Sequence, residues 1–313
     1  MTTWPLTQPP APARARDRAE LFRAIGVLAE SPGTMHPRLA DLLDLPRPAG
    51  VDWTEAFVVQ LVPHGSIYVG AEGMLGGAAA DRVAGFWRAL HLPVPAEPDH
   101  VSTLLGLYAS LVDAEQDEPP GPRRTLYGQA RAALLHEHLL SWLPPYANAM
   151  IDSGPWAYRE WARLLREALL AEADDVGVPE RLPMHLRAVA PLLADGSLDE
   201  LLAGLLTPAR SGVVLTRAHL ARIARLSGLG LRLGNRRAVL RALIEQNPAA
   251  TLTALAAQAR TWLARHQADR PTIGLAAGHW ADRAAVTADL LTAAAGQARL
   301  AESASGQSKE EHR

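Results

Sequence analysis

The chain has 313 residues, with 31 Lys and Arg set against 33 Asp and Glu. The formal charge of −2 argues against nucleic-acid binding by the chain as a whole. The absence of Cys excludes disulfides, iron–sulfur ligation and thiol catalysis. The residues are 48% hydrophobic, enough for a core, but no apolar run reaches the ~18 residues that a membrane span needs.

Met1 to Pro12 is rich in Pro and Thr and has no hydrophobic signal region, so 1–13 reads as a disordered tail. Leu21, Phe22, Ile25 and Leu28 recur at helical spacing, which predicts a helix over 14–30, ended by Ser31-Pro32-Gly33. Short helices are expected at about 37–44 and 52–62. Pro63-His64-Gly65 breaks the pattern, and Ser66 to Gly77, with glycines at 70, 73, 76 and 77, reads as a loop. That loop is either a plain connector or a place of close backbone approach; without a Gly-Lys-Ser/Thr ending it is not a phosphate loop.

Val83, Phe86, Trp87 and Leu90 form one stripe of a helix over 79–90. Next comes Glu97-Pro98-Asp99-His100, a proline turn feeding an apolar helix from His100 to about Glu115. Asp99 stands in the N-cap position, and Pro98 keeps Glu97 extended. As a cap, Asp99 would only satisfy backbone N–H groups. From Ala89 to Pro122, however, there is no Lys or Arg, while Glu97, Asp99, Asp113, Glu115, Asp117 and Glu118 fall inside the stretch. Such a segment suits a basic partner. The polar, stiff break Asp117 to Pro122 is the internal hinge candidate.

A long helix is expected from Arg123 to Trp142, stopped by Pro144-Pro145, then helices over about 155–173, 184–194 and 198–206, the last opened by the capping box Ser197-Leu198-Asp199-Glu200. Beyond Thr207 the character changes: eight arginines from Arg210 to Arg241 lie in a span with no acid between Glu200 and Glu245. Further helices are expected at about 216–227, 235–246, 249–267 and 275–299, and 300–313 reads as a charged tail. With no strand and no fixed-period repeat, the expected fold is all-α: a single large helical bundle with an Arg-rich helical extension.

Catalytic constellations are missing. His136-Glu137-His138 puts its imidazoles about 200° apart on a helix, unlike a His-x-x-x-His zinc pair. No strand-borne Gly-x-Ser-x-Gly elbow exists. Neither a resident cofactor nor a metal is expected.

Three stretches, taken together, resemble the TorD/DmsD/NarJ family: Tyr68-Val69-Gly70-Ala71-Glu72-Gly73-Met74-Leu75-Gly76-Gly77, Glu97-Pro98-Asp99-His100, and His138-Leu139-Leu140-Ser141-Trp142-Leu143-Pro144. These proteins are cytoplasmic chaperones of dimethyl sulfoxide reductase-type molybdenum enzymes. The resemblance spans roughly residues 15–206, so 14–206 reads as the chaperone core and 207–299 as the extension. It implies a non-enzymatic protein that binds the catalytic subunit and its twin-arginine leader peptide around Asp99 and His100, delaying export until the molybdenum cofactor is inserted. Two guanidiniums need carboxylates and an apolar groove. Glu97, Pro98, Asp99 and His100, with Ser66, Tyr68, Trp87, His138 and Trp142, are the expected peptide- and client-binding residues; Trp142 and Phe86 equally suit a core. One residue fewer than usual in this family separates Glu97-Pro98 from Asp99-His100. Arg232, Arg236 and Arg237 are candidates for transient contact with the client's molybdopterin guanine dinucleotide or with an acidic client face. Oligomeric state stays open between monomer and dimer. The alternative reading is a DNA-binding regulator, since Leu215 to Ala224, a glycine turn and Arg236-Arg237 mimic a helix-turn-helix.

Overall fold

The computed structural model describes residues 11–193 and 197–310. It is 73% helical, and among the described residues there is no strand, only a lone antiparallel bridge between His64 and His100.

The helix Val101–Asp117 occupies the centre. Val101, Leu104, Leu105, Tyr108, Leu111 and Val112 are buried, three and four residues apart, as an apolar stripe requires. Helix Ala11–Ala29 lies along it through Phe22, Ile25 and Leu28, and helix Pro122–Ala133 packs on its other side. Trp161 and Tyr158, from helix Trp156–Val176, donate to the carbonyls of Ile25 and Leu28 at 2.9 and 3.4 Å.

Several boundaries differ from the sequence reading. Residues 11–13 already belong to the first helix, and the rest of the expected N-terminal tail lies outside the described residues. Residues Gly65–Val69 form a short helix, so the glycine loop starts only at Gly70. Helix Pro122–Ala133 passes into a π-helical turn, Leu134–Leu139, and ends there rather than at Trp142. After Pro183 only Met184–Arg187 is helical. The last helix, Leu275–Glu310, continues through most of the expected tail. The 117–122 break is a tight connection between two packed helices, whose Glu115 and Arg131 meet at 2.7 Å.

The C-terminal helices close against the rest of the molecule in one continuous buried cluster. Pro248–Ile273 and Leu275–Glu310 form a long antiparallel hairpin. The Trp280 indole donates to the Ser141 carbonyl at 2.9 Å, and Arg265 grips the Asp152 carboxylate with both terminal nitrogens. Burial pushes the Asp152 carboxyl up, but the His219 and Arg265 side chains overcome this and hold it at about 2. Gly212 has φ +69, and a Cβ there would lie 2.3 Å from the Ala284 nitrogen. Glycine alone permits this backbone-to-backbone approach.

Candidate functional site: the groove at the Glu-Pro-Asp-His turn

The bridge between His64 and His100 ties two segments together. The Gly65 amide donates to the Asp99 carbonyl at 3.0 Å, and the Val101 amide donates to the Pro63 carbonyl at 2.9 Å. This pairing decides which residue caps which helix. His100, not Asp99, is the N-cap of helix Val101–Asp117: its Nδ1 accepts from the Ser102 amide at 3.2 Å. Asp99 is turned inward, 3% exposed, and its Oδ2 accepts from the Ser66 amide at 2.8 Å, at the start of helix Gly65–Val69. The expected cap thus falls to His100, while the Asp99 carboxylate serves a backbone amide in the first turn of the other helix.

Outside this bridge lies a groove of about 590 Å³. Glu30, Trp53, His64, Glu97, His100 and Thr103 are among its lining residues. Glu97 is exposed, with Oε1 3.4 Å from His64 Nε2. The His64 and His100 rings meet edge to face, 4.8 Å between centroids. Burial first, and then His64, hold the His100 imidazole below its ordinary range against the pull of Glu97 and Asp99. Trp53 is fixed by its indole N–H donating to the Ala29 carbonyl at 3.1 Å. The groove thus offers two carboxylates beside aromatic and aliphatic walls, the surroundings that suit a cationic side chain with an apolar neighbour.

The residues expected at the site divide. Glu97 and His100 face the groove, with Pro98 half-buried in the turn between them. Ser66, Tyr68, Asp99, His138 and Trp142 are all buried behind it. Tyr68 stacks on Trp142 at 5.3 Å with 15° between the planes, and its hydroxyl donates to the Val62 carbonyl at 2.9 Å. Gly65 sits on the same indole, where a Cβ would come within 3.0 Å of Trp142 Nε1. His138 Nδ1 and His185 Nε2 share a hydrogen bond of 3.1 Å. Burial, then the neighbouring His185, takes His138 down to about 3; burial, then Arg82, takes His185 to about 4. Trp87 is half-buried against the core, away from the groove lining. Glu30, Trp53 and His64 escaped the sequence reading; the only local signal was the Pro63-His64-Gly65 break.

Four of the six acids of the run are not free, contrary to the sequence reading. Arg23 pairs with Asp113, Arg131 with Glu115, Arg16 with Asp117 and Arg123 with Glu118. In the same way, Arg237 and Arg241 converge on Asp199, and Arg236 donates to the Leu215 carbonyl at 2.9 Å. Arg232, Arg237 and Arg241 line a separate cavity of about 460 Å³ together with Glu245. The helices Arg217–Leu226 and Arg236–Gln246 are joined by the nine residues 227–235, against the three or four of a helix-turn-helix. Among the described residues no group of three or more His, Asp or Glu is placed to hold a metal, and no helix is long and apolar enough to cross a membrane.

No curated protein matches the chain. Residues 29–148 match the family model described as nitrate reductase delta subunit, a span that holds the groove, the Glu-Pro-Asp-His turn and the buried Tyr68–Trp142 pair. Over this span, well under half of the chain, the sequence is thus similar to the NarJ/TorD-type chaperone family.

Proposed function

We propose that this protein binds the catalytic subunit of a dimethyl sulfoxide reductase-type molybdenum enzyme in the cytoplasm, through a leader peptide carrying paired arginines, and holds it until its cofactor is in place. The observation that carries the reading is the groove, where Glu97 and Glu30 stand beside Trp53 within the span matched by the family model. One guanidinium pairs with Glu97, the other with Glu30, and the apolar residues that follow lie on the aromatic wall. The protein supplies binding and shielding, with no chemical step of its own.

The arginine-lined cavity is the second contact in this reading. There a phosphate of the client's pterin dinucleotide, or an acidic client surface, displaces Asp199 from Arg237 and Arg241. Affinity capture from the native cell tests the whole reading. The wild-type chain should retain a molybdenum-dependent catalytic subunit, identified by mass spectrometry, and the Glu30→Gln/Glu97→Gln chain should lose it. Arg232→Glu/Arg237→Glu should lower client capture while leaving leader affinity intact. Equal capture by wild type and the groove variant, or no molybdoenzyme among the captured proteins, contradicts the reading.

A further inference from the structure

Asp99 is the acidic residue a sequence reader would pair with an incoming arginine, yet its position argues against this. The residue is 3% exposed, and its carboxylate accepts from the Ser66 amide at 2.8 Å. It does not line the outer groove; it lies on the wall of a separate small space with Ser66, His138, Ser141 and Trp142. Ser66, itself 1% exposed, passes the contact on: its hydroxyl oxygen accepts from the Gly76 amide at 3.0 Å. Gly76 ends the glycine loop and is the N-cap of helix Gly77–Ala89, with φ +86 and no side-chain capping bond of its own. The loop carries Met74 and Leu75, which are 66% and 60% exposed. The main chain on either side of Asp99 is tied to Pro63 and Gly65, and its neighbours Glu97 and His100 line the groove. A single buried carboxylate therefore joins the groove floor to the glycine loop.

We infer that Asp99 is a positioning residue, which through Ser66 fixes the glycine loop 70–76 relative to the groove, and that it makes no ion pair with the bound peptide. The inference rests on the leader-binding reading for its affinity arm only; its loop arm stands on the geometry of the free protein. Asn at position 99 keeps a carbonyl oxygen for the Ser66 amide and removes the charge. The substitution thus separates the two roles, since a hydrogen-bond acceptor survives it and an ion-pair partner does not.

The experiment uses the full chain with Asp99→Asn, Asp99→Ala, Ser66→Ala and Glu97→Gln. Two readouts are taken: calorimetric affinity for a synthetic Arg-Arg peptide bearing an apolar stretch, and amide hydrogen exchange of the loop, Gly76 above all. Asp99→Asn should stay within about threefold of wild-type affinity, whereas Glu97→Gln should lose about tenfold or more, as expected when a charged hydrogen bond is removed. Asp99→Ala and Ser66→Ala should speed Gly76 exchange about tenfold, the equivalent of one lost hydrogen bond. Asp99→Asn should leave exchange near the wild-type rate. Loss of affinity in Asp99→Asn as large as in Glu97→Gln overturns the inference, and so does unchanged Gly76 exchange in Ser66→Ala. If the wild type binds no peptide, the leader-binding reading fails, and the exchange arm alone decides the role of Asp99.

Discussion

Glu172 is 1% exposed in the middle of the helical bundle, and the cost of isolating it can be worked from its partners. Its Oε2 accepts from the Tyr108 hydroxyl and, at 3.1 Å, from Arg131. Arg18 lies 3.1 Å from the other oxygen but without the alignment of a hydrogen bond. Arg131, with its side chain 14% exposed, also holds Glu115 at 2.7 Å. Arg131→Met keeps the aliphatic stem and removes the charge, leaving Glu172 with one aligned donor and the Arg18 charge 3.1 Å away. Removing one partner of a buried ion pair costs about 3–5 kcal/mol when the other charge is left alone; with Arg18 still in place the cost should fall at about 2–3 kcal/mol, within the ~5–15 kcal/mol that a domain of this kind has to lose. Replacing both partners by apolar residues is far cheaper, so Arg131→Met/Glu172→Met should recover at least ~2 kcal/mol over the sum of the single changes. Urea unfolding followed by tryptophan fluorescence and circular dichroism measures all four states of the cycle. A cost below ~1 kcal/mol for Arg131→Met, or additive single changes, would show that water reaches Glu172 and would refute the assignment of this network as buried.

Two further outcomes are expected. His138, His185, His266 and His279 are held neutral by burial, at about 3, 4, 4 and 4. Each takes up a proton on unfolding once the pH is below the ordinary imidazole value of about 6.5. Their contribution to stability is therefore complete above about pH 6.5 and is lost as pH falls toward 4, at about 1.4 kcal/mol per pH unit per histidine. Urea midpoints measured from neutral pH down to about pH 5 should decline steadily, and a flat profile contradicts the burial of these rings. Separately, Gly212→Ala should destabilise by at least about 3 kcal/mol, because a side chain at positive φ also strikes the backbone of the last helix. Thermal melting reads this directly, and a change of less than ~1 kcal/mol would mean that the hairpin is not docked at Gly212.

The helices were legible because burial imposes its period on the sequence. Leu104, Leu105, Tyr108, Leu111 and Val112 mark the central helix without any knowledge of its neighbours. What stayed hidden depends on pairing between distant segments. Asp99 and His100 are both competent caps, and local sequence favours Asp99; the bridge to His64 turns it toward Ser66 instead. The acidic run looked unneutralised because Arg23 reaches Asp113 from a helix 90 residues earlier in the chain. Position alone also made Arg236 and Arg237 look free, whereas Asp199 and the Leu215 carbonyl hold them. The groove itself is built from Glu30, Trp53, His64 and Glu97, residues on separate segments that share no motif. The π-helical turn at Leu134–Leu139 carried no sequence signal that a regular helix would lack.

Whether the groove receives paired arginines can be read from calorimetric titration of a synthetic Arg-Arg leader peptide into the full chain. The same peptide with Lys-Lys, and the chain with Glu30→Gln/Glu97→Gln, serve as controls. Wild-type binding should weaken about tenfold or more in each control, because lysine cannot pair bidentately and glutamine carries no charge. Equal affinity across wild type and both controls, or no binding by the wild type, would rule out the groove as the arginine site.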